Sequence, residues 1–104
     1  MKVRLIMSVS TDTDGNKYII KLEGCFNFAI ENEFCLAYKG VETNKVFVLD
    51  FSAVESIDST TLGMLLLLRD YAGGDKSNIE LSMCSPDIKN ILEISNFQKL
   101  FTIS

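Results

Sequence analysis

The chain has 104 residues, of which 47% are hydrophobic, and it carries a net charge of −4 at pH 7. This length predicts one domain, residues 1–104, with enough apolar side chains to form a core. The acidic balance and the scattered lysines argue against nucleic-acid binding, which needs clustered basic side chains. The sequence has neither a transmembrane-length apolar run nor the apolar stretch of a signal peptide, so we expect no membrane insertion and a cytoplasmic location.

The chain contains no histidine, so the commonest general base and metal ligand is missing. A Ser-His-Asp triad is therefore impossible within this sequence. Three cysteines, Cys25, Cys35 and Cys84, follow no metal-ligand spacing, and their odd number does not suit a disulfide framework. We expect a protein without metal or cofactor, whose cysteines are reduced and half-buried. The absence of histidine disfavours catalytic activity but does not exclude it, because carboxylates or lysine could act as catalytic groups.

The first elements along the chain predict a β-hairpin and a helix. Val3–Val9 and Lys17–Glu23 are typical of strands, and Asp14-Gly15 between them is a typical hairpin turn. Asn27 can cap a helix that follows the second strand. The apolar residues of that helix recur at intervals of three and four: Phe26, Ile30, Phe34, Ala37 and Val41.

The middle of the chain predicts a buried strand, a turn and a second helix. The nearly continuous apolar run Val46–Phe51 favours a central strand covered on both faces. The polar segment Ser52–Ser56 is typical of a turn. A strongly apolar helix is predicted from Leu62 to about Ala72.

The end of the chain repeats the alternation of strand and helix. Asn78–Met83 predicts a fourth strand, and Ser85-Pro86-Asp87 is typical of a helix start. Asn96 can adopt the left-handed conformation that ends this helix, and Lys99–Ile103 predicts a last strand. The order β-β-α-β-α-β-α-β predicts a small α/β domain, in which an amino-terminal hairpin and β-α repeats form a mixed sheet with helices packed on it.

Four polar residues, Asp58, Ser59, Thr60 and Thr61, directly precede the second helix. Backbone N–H groups at a helix N-terminus lack partners and create a positive potential. One polar side chain is sufficient for a cap, so this cluster exceeds what capping needs. The sequence therefore predicts a cap together with a place where a negative group is electrostatically favoured.

The second helix carries apolar residues on two sides. At 100° per residue, one side holds Leu62, Leu65, Leu66 and Ala72, with Arg69 among them, and the other holds Met64, Leu67, Leu68 and Tyr71. Either neighbouring helices cover the second stripe, or part of it is exposed as a docking surface. The sequence leaves open which stripe faces the sheet.

The segment Val46–Gly63 resembles the signature of the STAS domain, the fold of bacterial anti-sigma factor antagonists. In that family an apolar strand ending in Asp precedes a short loop and the motif Asp-Ser-Ser/Thr-Gly-Leu-Gly. Here Asp58, Ser59 and Thr60 match the motif and Leu62-Gly63 matches its Leu-Gly pair, whereas a threonine, Thr61, replaces the first glycine. The tail, residues 91–101, is similar to the family's closing helix and last strand.

The resemblance implies a non-enzymatic interaction module that is switched by phosphorylation. The family's partner is an anti-sigma factor with serine kinase activity, which the unphosphorylated protein sequesters. A PP2C-type phosphatase removes the phosphate from the switch protein and so restores its binding form. By position, the phosphorylated residue is Ser59, with Thr60 as the alternative. The predicted partner-binding residues are Asp58, Ser59, Thr60, Thr61, Leu62, Gly63, Met64 and Leu67.

Two other functions are compatible with parts of this pattern. A constitutive STAS accessory subunit of a lipid-transport ABC complex would use the same helix without phosphorylation. A small enzyme with Ser59 as nucleophile is disfavoured, because the chain lacks histidine and a glycine-rich phosphate loop. The sequence also leaves open a weak homodimer through strand edges or the second helix stripe.

Overall fold

The computed structural model describes residues 8–104 and confirms the order of elements that the sequence predicts. The strands and helices are β1 (Ser8–Asp14), β2 (Lys17–Phe26), α1 (Glu31–Tyr38), β3 (Val46–Ile57), α2 (Ser59–Tyr71), β4 (Ile79–Ser82), α3 (Pro86–Ile94) and β5 (Thr102–Ile103). Most of the predicted first strand, Val3–Val9, lies outside the described residues. A 3₁₀ turn, Phe28–Ile30, precedes α1, and Asn27 caps this turn by accepting a hydrogen bond from the backbone N–H of Ala29.

The strands form one mixed sheet in the order β1-β2-β3-β4-β5, which confirms the predicted α/β fold. β1 pairs with β2 in antiparallel orientation, and the remaining neighbours are parallel. Gly15 opens the two-residue loop of the hairpin with a φ of 62°. Such a turn requires a left-handed residue at that position.

One face of the sheet is buried under the helices and the other is partly exposed. Along β3, Phe47, Leu49 and Phe51 are buried, whereas Val48 and Asp50 between them are partly exposed. The expectation that this strand is covered on both faces is therefore wrong. The parallel strands β2 to β5 follow one another across the sheet in chain order. Right-handed connections that all advance in one direction place their helices on the same face, so no helix of the described chain covers the other face.

β3 continues to Ile57 instead of ending at Phe51, so the predicted turn Ser52–Ser56 is strand. This extension pairs with the last part of β2, where Phe26 lies opposite Ile57. The polar residues Ser52, Glu55 and Ser56 are exposed on this extension, and solvent exposure rather than a turn explains their polarity. The pairing brings the end of β2 next to the start of α2.

Aromatic side chains fix α2 against α1 and the loop after it. The rings of Tyr38 and Tyr71 lie 5.3 Å apart between centroids. The Tyr71 hydroxyl donates a hydrogen bond to the carbonyl of Val41 (2.8 Å) and accepts one from the backbone N–H of Gly40 (2.9 Å). These contacts hold the carboxyl-terminal end of α2 rigidly in place.

The three cysteines are unpaired, and Cys25 is exposed rather than half-buried, while Cys35 and Cys84 are half-buried as expected. Between residues 8 and 104, no helix is long and apolar enough to cross a membrane.

Candidate functional site

Helix α2 begins at Ser59, three positions earlier than predicted, and Asp58 is its N-cap. One carboxylate oxygen of Asp58, Oδ1, accepts hydrogen bonds from the backbone N–H groups of Thr60 (2.9 Å) and Thr61 (3.2 Å). In return, the backbone N–H of Asp58 donates to Oγ1 of Thr61 (3.0 Å). The two residues form a capping box, which confirms the predicted cap.

The hydroxyls of Thr60 and Thr61 are both engaged. Thr60 Oγ1 donates to the Asp58 carboxylate at 2.5 Å. Thr61 is fully buried, and its Oγ1 donates to the backbone carbonyl of Phe26 at the end of β2. The Thr60 hydroxyl, together with the backbone N–H groups of Thr61 and Thr60, lowers the pKa of Asp58, because these donors stabilise the carboxylate.

Ser59 differs from both threonines. Its side chain is exposed, and within the described part of the chain its hydroxyl makes no hydrogen bond. The capping role expected for this cluster is carried out by Asp58 and Thr61. The Ser59 hydroxyl is therefore accessible at the positive end of α2 without being needed to hold that end together.

Helix α2 has one buried face and one exposed face rather than the two predicted stripes. The buried residues are Thr61, Met64, Leu65, Leu68 and Ala72. The opposite side, which we call the outer face of α2, consists of Ser59, Gly63, Leu66, Leu67 and Asp70. Leu66 is 42% exposed and Leu67 is 56% exposed, so the outer face has an apolar centre.

The predicted partner-binding residues separate into two groups. Asp58, Ser59, Thr60, Gly63 and Leu67 are exposed, and Leu62 is half-buried. Thr61 and Met64 are buried, and their predicted contact with a partner stays a prediction. Thr61 is needed to join α2 to β2, and Met64 points into the space between α1 and α2 with 4% of its surface exposed.

Two exposed residues near this site were not predicted. Leu66 is adjacent to Gly63 and Asp70 on the helix surface, but the predicted stripes placed it with residues that prove to be buried. Phe28 is 60% exposed in the 3₁₀ turn that packs against α2. The capping residue Asn27 is the sequence signal that could have predicted the exposure of Phe28. A cap at Asn27 makes Phe28 the first residue of the turn, and Phe28 is not part of the apolar face that includes Phe26 and Ile30.

Gly63 lies inside α2 with an ordinary helical conformation. A Cβ atom built on Gly63 would meet nothing within 4 Å. Glycine inside a helix costs about 1 kcal/mol relative to alanine. Neither backbone conformation nor crowding within the described chain requires glycine at this position.

The arrangement places the exposed hydroxyl of Ser59 beside two exposed leucines, Leu66 and Leu67. Across residues 8–104, no group of three or more Cys, Asp or Glu side chains is placed to hold a metal ion. The exposed leucines provide area for protein contact, and Ser59 lies on the same face of the helix. A charge added to Ser59 would therefore change the chemistry of that surface directly.

Comparison with known proteins places this geometry in a family. The family model described as "Mlab, STAS domain" matches residues 9–102. A STAS-domain containing protein of Pseudomonas aeruginosa (strain UCBPP-PA14) is 46% identical over 92 residues, which cover 88% of this chain and 91% of that protein.

Solved structures share the fold at low sequence identity. An anti-sigma factor antagonist from Mycobacterium paratuberculosis has a TM-score of 0.80 at 15% identity, covering 99% of this chain and 89% of its own. SpoIIAA of Bacillus is 16% identical over 93% of this chain, with TM-scores of 0.71 for its unphosphorylated form and 0.65 for its phosphorylated form. These matches cover 88% and 91% of SpoIIAA. The family model and the Pseudomonas relative both span nearly the whole chain, and they confirm the resemblance seen in the sequence: this chain belongs to the STAS domain family.

Proposed function

We propose that this protein is an anti-sigma factor antagonist that works as a non-enzymatic, phosphorylation-switched interaction module. In its unphosphorylated form it sequesters an anti-sigma factor with serine kinase activity, and phosphorylation of Ser59 releases that partner. A PP2C-type phosphatase then restores the binding form. Family membership and the fold shared with anti-sigma factor antagonists support this role. The observation that carries the proposal is the free, exposed hydroxyl of Ser59.

The local structure favours Ser59 over Thr60 as the modified residue. The Thr60 hydroxyl donates to Asp58, so a phosphoryl group that replaces its proton would remove a hydrogen bond from the cap. Phosphorylation of Ser59 leaves the capping box between Asp58 and Thr61 untouched. The phosphate adds about −1.5 to −2 charges, which the positive end of α2 tolerates.

The position of Ser59 explains how a phosphate would release the partner without unfolding the domain. Ser59 lies on the same face as the exposed Leu66 and Leu67. A partner that packs on these leucines would have to bury part of the phosphate, and desolvating a charge without a matching partner is strongly unfavourable. A difference of about 2–4 kcal/mol in binding free energy changes affinity by about 30- to 1000-fold.

The test is a pull-down from the native host with purified baits of the wild-type protein, Ser59→Ala and Ser59→Asp. Ser52→Asp serves as a matched control, because Ser52 is exposed on β3 and its substitution adds the same charge outside α2. We expect a kinase-type partner to be retained by the wild type, Ser59→Ala and Ser52→Asp, and to be lost only by Ser59→Asp. Equal recovery of that partner by Ser59→Asp would contradict the switch.

A second candidate is a constitutive accessory subunit of a lipid-transport ABC complex. The observation that favours it is the capping box, since Asp58, Thr60 and Thr61 have structural roles that need no modification. In that case the same pull-down recovers an ATPase and a membrane protein with all four baits. The intact mass of the endogenous protein is then unchanged by phosphatase treatment.

A further inference from the structure

A cavity of 180 Å³ lies between α1 and α2, and Leu67 of the outer face of α2 is among its lining residues. Its apolar lining comes mainly from Phe34, Cys35 and Tyr38 on α1 and from Met64 and Leu67 on α2. Met64 is buried whereas Leu67 is exposed, so the cavity leads from the surface towards the core. An apolar cavity of about 150 Å³ holds a benzene molecule, so this one has room for a single leucine or phenylalanine side chain.

The cavity is aligned with Ser59 along the helix. Ser59, Gly63 and Leu67 follow one another at intervals of four residues, each about 6 Å further along the axis of α2. Gly63 therefore lies halfway along the helix between Ser59 and Leu67, which lines the cavity. The space above its Cα atom is empty, so another chain can approach the backbone of α2 most closely at this point.

The charges around this line are acidic and unpaired. Asp70 is exposed on the outer face of α2, and Glu31 lies at the cavity. In the part of the chain that the structure describes, the one ion pair joins Arg69 to Asp75, and neither Asp70 nor Glu31 has a basic partner. A protein surface that covers this line therefore gains from lysine or arginine beside its apolar contacts.

We propose that a segment of the partner protein lies directly against the backbone of α2 at Gly63, inserts one leucine- or phenylalanine-sized side chain into the cavity between α1 and α2, and places a basic residue beside Asp70 or Glu31. This inference rests on the proposed function, because the partner is the regulator proposed above. It explains why α2 keeps a glycine that its own fold does not require. It also places the partner within one helical turn of Ser59, where a phosphate would disturb the contact.

The first test is Gly63→Ala, measured by calorimetric titration against the purified regulator that the wild-type bait recovers. We expect binding to weaken about tenfold or more, because the added methyl group lies where the partner backbone packs. The melting temperature should rise by a few degrees, because alanine is the better helix former. Asn90→Ala, an exposed substitution in α3 with the same helical benefit, should raise the melting temperature without changing affinity.

The second test fills the cavity with Cys35→Leu and compares it with Cys35→Ala. The larger side chain should weaken binding about tenfold, and the smaller one should leave it unchanged. If Cys35→Leu unfolds the protein, Cys35→Val, which adds less volume to the cavity, makes the same test.

The outcomes separate this inference from the function on which it rests. Unchanged affinity in Gly63→Ala would overturn the close approach at that residue, and unchanged affinity in the cavity variants would overturn the inserted side chain. If Ser59→Asp still releases the regulator in those cases, the proposed switch stands and only the docking geometry is wrong. If Ser59→Asp fails to release it, the proposed function itself is overturned.

Discussion

The first backbone N–H groups of α2 and of α3 need hydrogen-bond acceptors outside the helix, and the two N-termini use different numbers of polar side chains. At α3, Oγ of Ser85 accepts a hydrogen bond from the backbone N–H of Ile88 (3.3 Å), and Pro86 follows at the first position. At α2, Asp58 and Thr61 complete a capping box, and Thr60 adds a hydrogen bond to it. Capping explains the hydroxyl of Ser85 at the start of α3. At the start of α2, capping explains Asp58, Thr60 and Thr61 but not the hydroxyl of Ser59.

Exposed apolar residues do not distinguish the two helices. Ile94 in α3 is 73% exposed, which is more than either Leu66 or Leu67 in α2. What α2 has in addition is the free hydroxyl of Ser59 and an interior glycine, Gly63, without a role in the fold. The proposed binding surface therefore differs from the rest of the molecule in the groups that the fold does not use, and hydrophobic exposure alone does not distinguish it.

The comparison predicts the largest loss of stability for substitution of the buried threonine, Thr61. Thr61→Val keeps the shape of the side chain but removes the hydroxyl that bonds the carbonyl of Phe26 and the backbone N–H of Asp58. The buried carbonyl of Phe26 and the partly buried N–H of Asp58 both lose their partner, so we expect the free energy of unfolding to fall by about 2–4 kcal/mol in urea titrations. Thr60→Val, whose hydroxyl is exposed, should cost clearly less, and an equal loss for both variants would contradict the roles assigned to them.

Removing each cap should have a smaller effect. Ser85→Ala deletes one hydrogen bond at α3 and should lower the free energy of unfolding by about 1 kcal/mol. Asp58→Ala deletes the acceptor for two backbone N–H groups and for the Thr60 hydroxyl, so its melting temperature should fall further. Thermal unfolding of both variants checks the order, and a larger loss in Ser85→Ala would contradict the comparison.

The two caps should also differ in their response to pH. Because the pKa of Asp58 is lowered below 3.8 in the folded state, its stabilising contribution is present at neutral pH and above the unfolded pKa. That contribution is lost as the pH falls through the lowered folded pKa. We expect the loss of stability between pH 7 and pH 3 to be smaller in Asp58→Asn than in the wild type. Ser85→Ala should leave the loss unchanged, since a serine cap does not titrate in this range.

The smallest effect is expected at Ser59. Its hydroxyl makes no hydrogen bond among the described residues, so Ser59→Ala should change the free energy of unfolding by less than about 0.5 kcal/mol. Ser59→Asp should be similarly mild, because a negative charge is favoured at the start of a helix. Chemical denaturation measures both variants, and a large loss in Ser59→Ala would show that Ser59 is part of the cap.

Local chemistry made the start of α3 predictable from sequence and that of α2 predictable to within three residues. Ser85 and Asp58 are capping residues, and Asn96 adopts the left-handed conformation expected of it, with a φ of 63°. The type and order of strands and helices followed from hydrophobic periodicity together with these boundary residues. Both kinds of signal depend on neighbours in the sequence, which is why they are readable without the structure.

Features that depend on distant parts of the chain were not predictable. The continuation of β3 to Ile57 depends on backbone pairing with β2, which the polar side chains of Ser52 and Ser56 do not reveal. The buried side of α2 depends on where the sheet and α1 lie, so Met64 proved buried and Leu66 exposed. The hydrogen bond from Thr60 to Asp58, which supports Ser59 over Thr60 in the proposal, is local, but the sequence does not show which of the neighbouring hydroxyls forms it.

The most direct test of this account is to locate the phosphate on the protein isolated from its native host. Fragment-ion mass spectrometry of the peptide that contains Asp58 to Thr61 distinguishes the three hydroxyl residues of the cluster. The account predicts a phosphate on Ser59 that disappears after phosphatase treatment, with Thr60 and Thr61 unmodified. A phosphate on Thr60, or a protein that carries no phosphate while bound to and released from its partner, would contradict it.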